Sequence, residues 1–125
     1  MNNETANQYM FLLSGSPCQQ GDLSPEQMQV HLKESNAWMD SLIQRGLLSA
    51  AQPLTPERKI VSGGKGTVIS DGVSAESKEV IGGFFIINVK TMDEAVAVAS
   101  TCPSLKYGTQ IEVRRIAELQ LDHKP

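Results

Sequence analysis

With 125 residues, 40% of them hydrophobic, the chain has material for one compact domain and too little for two ordinary ones. A formal net charge of −3 and a pI near 5.3 describe a mildly acidic surface, without the basic field that nucleic-acid binding needs. No apolar run approaches the roughly 20 residues of a membrane span, and the start MNNETANQ lacks the layout of a signal peptide, so a cytoplasmic protein away from membranes is expected.

The first eight residues read as a polar tail, and Tyr9–Leu13, YMFLL, as the first strand, ended by Ser14-Gly15-Ser16-Pro17. Ser24-Pro25-Glu26-Gln27 then opens a helix: Ser24 caps it, Pro25 suits its first position and Gln27 completes a capping box. Met28, Leu32, Ser35, Met39, Leu42 and Ile43 recur at helical spacing as its apolar face, and Arg45-Gly46 stops it. Leu47–Ala51 follows as a strand, closed off by Pro53 and Pro56. The β-prone pieces RKIV and TVIS flank Ser62-Gly63-Gly64-Lys65-Gly66, which predicts a hairpin; a phosphate loop would need GxxxxGK[ST] leading into a helix.

The stretch Asp71–Val89 organises the remainder. Its polar, turn-prone first half runs through Gly82-Gly83 into FFIINV, the most apolar run of the chain, and so into a central buried strand. A polar loop held by a core strand is a natural place for a site. Gly82-Gly83 fits a close backbone approach, a bulge or tight helix packing. Thr91-Met92-Asp93-Glu94 opens a second helix with another capping box; its face is Met92, Ala95, Val96, Ala99 and Cys102, and Pro103 ends it. Ile111–Ile116 is a last strand before a loose C-terminal tail, leaving one domain over 9–117 between tails at 1–8 and 118–125.

This order predicts an α+β fold of ferredoxin-like type, with both helices on one face of an antiparallel sheet and a hairpin inserted between the halves. Phe84, Ile86 and Asn88 point one way from the central strand; Phe85, Ile87 and Val89 point the other. Both sets are largely apolar, so the second face needs a cover as well, and a second copy of the chain is the simplest one: a homodimer is expected.

Asp71-Gly72-x-x-Ala75-Glu76-x-Lys78-Glu79-x-Ile81-Gly82-Gly83-Phe84-Phe85-Ile86-Ile87 resembles the DGPF signature of the YCII-related family. So does Cys102-Pro103-x-Leu105-x-Tyr107-Gly108 with Ile111-Glu112-Val113-Arg114, and the YMFL start, SPEQM opening and His31…Trp38 helix are also similar. The resemblance covers roughly residues 9–116. It implies a dimeric α+β barrel of ferredoxin-like subunits, and a cleft in which some members are proposed to use a histidine–aspartate pair. Members include a dehydrochlorinase of a chlorinated hydroxyquinol. Here Val73-Ser74 stands where the signature has Pro-Phe, and Ser104 where many members carry histidine. The turn is therefore less rigid, and chemistry needing a second histidine is not supported.

His31, at the edge of the apolar helical face, reads either as a proton-transfer group or as a boundary histidine bonded to a carbonyl. Asp71 reads as a turn-former with Gly72 and as a partner that orients His31 or holds a substrate hydroxyl; the roles are compatible. Trp38, a core residue by default, and Tyr107 in its Tyr-Gly turn are the aromatics able to line a pocket for a flat ligand. Ser104 and Gly72 join them as candidate substrate contacts; Ser104 has no GxSxG setting for nucleophilic work. Cys102 reads as a packing residue, and Cys18 and Cys102 as free thiols. With only His31 and His123 as histidines, and no cofactor motif, neither metal nor cofactor is expected. Two functions stay open: a small-molecule enzyme of lyase- or isomerase-like type working through His31 and Asp71, and a non-catalytic ligand-binding or regulatory dimer.

Overall fold

The computed structural model describes residues 7–15, 23–64, 67–70 (backbone alone) and 80–118. Asp71, Gly72, Val73-Ser74, Cys18, His123 and the C-terminal stretch from 119 lie outside the described residues.

The elements are β1 (Asn7–Ser14), α1 (Pro25–Gln44), β2 (Leu48–Pro53), the hairpin strands β3 (Ile60–Ser62) and β4 (Thr67–Ser70), β5 (Ile81–Val89), α2 (Met92–Ala99), a 3-10 turn (Pro103–Tyr107) and β6 (Gln110–Arg115). Four strands form an antiparallel sheet in the order β2-β5-β1-β6, while β3 and β4 pair separately. α1 carries the chain from β1 past one strand position to β2, and β5 fills the slot between them. This is the expected ferredoxin-like α+β arrangement. Among the described residues, no helix is long and apolar enough to cross a membrane.

Strand alternation assigns the faces. Tyr9, Phe11 and Leu13 of β1 stand beside Ile87, Phe85 and Gly83 of β5 and beside Arg115, Val113 and Ile111 of β6. This side meets Leu42 of α1 and Ala95, Val98 and Ala99 of α2 in one core. Phe11 and Ile87 are fully sealed, each burial contributing about 1.5–3 kcal/mol. On the reverse side Met10, Leu12, Phe84 and Ile86 are partly buried, and neither helix packs there. Its polar end is tied together by Gln8 donating to Asn88 Oδ1 at 3.2 Å and Asn88 donating to Ser49 Oγ at 2.6 Å.

Several expectations shift by a residue or a face. β1 begins at Asn7, inside the stretch expected as tail, because the Asn7 side chain donates to the Lys90 carbonyl at 2.9 Å and accepts from Arg115 at 3.2 Å. The α1 capping box forms: Gln27 N–H donates to Ser24 Oγ, and Ser24 N–H to Gln27 Oε1. The inward stripe of that helix, however, runs through buried His31 and Leu42 and half-buried Trp38, while Leu32 and Ile43 are exposed, Ile43 at 57%. The helix is turned toward His31 because the 3-10 turn packs on that side. At α2 only half a box forms, since Glu94 Oε1 accepts from Lys90 N–H rather than from the cap residue Thr91. Met92 and Val96 face outward and Val98 inward. The helix stops at Ser100, and Pro103 opens the 3-10 turn instead of closing the helix.

Both a close approach and a bulge occur at the twin glycine. A Cβ on Gly83 would lie 3.1 Å from the Gln52 carbonyl oxygen, so a side chain there would require β2 to shift by a few tenths of an ångström. Leu13 faces Gly83 but Ser14 faces Ile81, which leaves Gly82 bulged out of register.

Candidate functional site

One end of the sheet gathers the C-terminal end of β1, the start of β5, the first turns of α1 and the 3-10 turn, since Ser14 pairs with both Ile81 and Gln110. Ile81, the first residue of β5, lies at this same end.

His31 lies on the second turn of α1 with only 3% of its surface open. The 3-10 turn closes over it, set by Pro103 at its first position and by Gly108, whose φ of 92° ends it in the left-handed region that favours glycine. This turn delivers Ser104, buried, with Oγ 3.4 Å from His31 Nε2. It also delivers Tyr107, whose ring stands edge-on to the imidazole at 5.1 Å and 81°. Lys106 completes the clamp, its ammonium 2.7 Å from Glu34 Oε1, one helical turn beyond His31, and 5.8 Å from the Tyr107 ring centre. Behind it Thr109, buried, donates to the Gly15 carbonyl at 3.3 Å and ties the turn to the end of β1.

Burial pushes the His31 imidazole below its ordinary value near 6.5; Glu34 pulls it up and Lys106 reinforces the lowering. The ring is therefore neutral at neutral pH, with one N–H and one lone pair. Nε2 has Ser104, whereas Nδ1 is buried with no hydrogen-bond partner among the described residues. Burial likewise pushes the Cys102 thiol up, against the amide and hydroxyl of Ser104, so the thiol stays protonated and unreactive. Glu34 raises the Lys106 ammonium by accepting its hydrogen bond.

Thus His31 from α1 and Ser104 and Tyr107 from the 3-10 turn, candidates from two separated stretches, meet in one cluster. Trp38 does not join them. It lies two turns further along α1, its indole N–H donating to Thr101 Oγ1 at 2.7 Å and its ring edge-on to Phe85 at 5.3 Å, a packing and clamping role. Asp71 and Gly72 lie outside the described residues. Reading by spacing missed Glu34 and Lys106; Glu34 three residues after His31 was a visible signal, but its partner 72 positions away was not. Two clefts flank Ile81: one of about 480 Å³ against Ser14, Leu105, Thr109 and Gln110, and one of about 250 Å³ against Leu54, Glu57, Arg58 and Val80.

Strand order and a one-sided helix layer define an α+β protein of ferredoxin-like type, carrying a histidine–serine–tyrosine cluster at one sheet end. The chain matches the model of the YCII-related domain over residues 8–120 and belongs to that family. Among solved structures it is similar to 5-chloro-2-hydroxyhydroquinone dehydrochlorinase (TftG) from Burkholderia phenoliruptrix AC1100 in complex with 2,5-dihydroxybenzoquinone. That likeness has 16% identity, covers 88% of this chain and 93% of the other, and has a TM-score of 0.46. No curated protein matches the chain.

Proposed function

We propose that the protein binds a small organic molecule at the β5-entry end of the sheet and moves a proton with His31 in a lyase- or isomerase-like reaction. Asp71 then orients the imidazole or holds a substrate hydroxyl, with Gly72 beside it and Tyr107 as the aromatic wall. The observation that carries this reading is the orphan nitrogen. A buried polar atom without a partner costs about 1–3 kcal/mol, and such a group in a folded protein calls for an explanation. Here the imidazole is neutral, with Nε2 engaged by Ser104 and Nδ1 unmet among the described residues. A neutral imidazole with a free nitrogen is suited to proton transfer near neutral pH.

A homodimer is part of the proposal. Met10, Leu12, Phe84 and Ile86 form an apolar patch on the sheet face that neither helix covers, and Leu12 also lines the 480 Å³ cleft. A second subunit on that face would roof the cleft.

One observation favours a non-catalytic ligand-binding dimer instead: the 3-10 turn leaves His31 only 3% exposed. A thermal-shift screen of small acids, phenols and nucleotides supplies the first ligand, and His31→Gln then separates the readings. Under the catalytic reading turnover of the hit collapses by two or more orders of magnitude while its affinity changes little. No turnover in the wild type, with affinity alone altered in the variant, contradicts it.

A further inference from the structure

We infer that the Pro103–Tyr107 turn is a gate over His31, latched by the Lys106–Glu34 ion pair, which swings aside to join His31 to the cleft walled by Leu105. That a ligand is what passes the gate rests on the functional reading above; the gate itself does not.

The turn is fixed at both ends and lightly held between them. Before it, Cys102 is buried in the core; after it, buried Thr109 donates to the Gly15 carbonyl at 3.3 Å. Leu105 N–H donates to the Cys102 carbonyl at 3.2 Å and Gly108 N–H to the Leu105 carbonyl at 3.1 Å. These bonds run inside the turn and its caps, so they travel with it. The side chains that it turns inward, Ser104 and Tyr107, rest on His31 itself. Neither contact is strong: Ser104 Oγ lies 3.4 Å from Nε2, beyond the usual range of such a bond, and the tyrosine meets the imidazole edge-on. A further tie is the 2.7 Å pair of Lys106 and Glu34, whose side chains are 52% and 39% exposed. An ion pair so open to water holds weakly and yields to salt.

With 3% of its surface open, His31 can reach a ligand only if something above it moves. The groups that would leave with the turn are those that seal the imidazole, so a swing of its five residues uncovers the ring while the core stays packed. Gly108 is the hinge, since its φ of 92° is reached freely by glycine. Leu105 lines the cleft of about 480 Å³ together with Ser14, Ile81 and Thr109. Ser104, next to it in the chain, faces His31, which makes the turn the partition between ring and cleft.

The test is the rate at which diethyl pyrocarbonate carbethoxylates the His31 ring in the full chain, read by mass spectrometry against N-acetylhistidine in the same tube. Working at about pH 8, well above the ordinary imidazole value, keeps the ring neutral in every variant. The wild type should react about ten-fold or more slowly than the reference. Its rate should stay flat in urea below the unfolding transition, because a local opening exposes little surface. Lys106→Met and Glu34→Gln should each raise the rate about two- to five-fold, and the double variant no further than either alone. Salt at about 1 M should raise it in the wild type but not in Lys106→Met. A methyl at Gly108 meets nothing within 4 Å among the described residues, so Gly108→Ala strains only the closed backbone and should raise the rate about five- to thirty-fold. A wild-type rate equal to the reference overturns the gate. So does a rate that climbs with urea in step with unfolding, or one that ignores salt and both latch variants. Should a variant fail to fold, the wild-type salt and urea series decide. The expected rates in a chain that binds no small molecule uphold the gate and remove the functional reading alone.

Discussion

The two faces of the sheet are made by the same strands from similar residues, yet they end differently. On one, Tyr9, Phe11, Leu13, Ile87 and Val89 are buried under α1 and α2. On the other, Met10, Leu12, Phe84 and Ile86 are only partly buried, and neither α1 nor α2 lies over them. Strand alternation alone would leave a soluble chain with one polar face. The chain thus closes its core on one side, and the reverse side is where the proposed second subunit would sit. The candidate site lies at the seam, where the 3-10 turn seals His31 on the helix side and its neighbours Leu105 and Thr109 wall a cleft that reaches Leu12.

The contrast breaks first where it is sharpest. Phe11→Ala opens a cavity in the closed face and should lower unfolding stability by about 3–5 kcal/mol, read by denaturant titration. Met10→Ala on the reverse face should cost markedly less in the monomer. Ile86→Asp charges the reverse face instead; light scattering at micromolar concentration should show a dimer mass for the wild type and a monomer mass for the variant. Equal masses would remove the proposed second subunit. Gly83→Ala drives a methyl into the Gln52 carbonyl oxygen at 3.1 Å, with an expected loss of about 1–3 kcal/mol and weakened exchange protection along β2.

His31 adds a pH dependence. Its folded value lies below the ordinary 6.5, so the unfolded chain takes up the proton first. Stability is whole above about 6.5, falls as pH drops below it, and levels off once the folded imidazole also protonates. In His31→Gln that part of the slope should vanish; a slope unchanged between variant and wild type would contradict the buried neutral ring. The smallest effect belongs to Trp38→Phe, which loses the bond to Thr101 but keeps the contact with Phe85, at about 1 kcal/mol.

How much of this was legible differs by residue. The Ser24–Gln27 box is written in adjacent residues, and it forms as read. The Thr91–Glu94 signal is as clear, but Glu94 finds Lys90 N–H instead, a choice between two nearby amides that spacing does not distinguish. On α1, Leu32 and Ile43 fit the apolar face by period, yet His31 takes the core position, since the 3-10 turn some 70 residues later packs there. Tyr107 and Ser104 were flagged by motif and Trp38 by rarity; only the packing separates the first two, beside His31, from the third, on Phe85. Asp71 and Gly72 lie outside the described residues.

Local chemistry, written along the chain, determined the elements, their caps, the strand alternation and the glycine that a close strand needs, because each depends on neighbours within a few residues. Tertiary structure alone decided which helical face turns inward, which candidates share a site, and that one imidazole nitrogen meets a serine while the other has no partner among the described residues. Those outcomes depend on contacts between residues tens of positions apart, and no period or motif along a single chain encodes such distances.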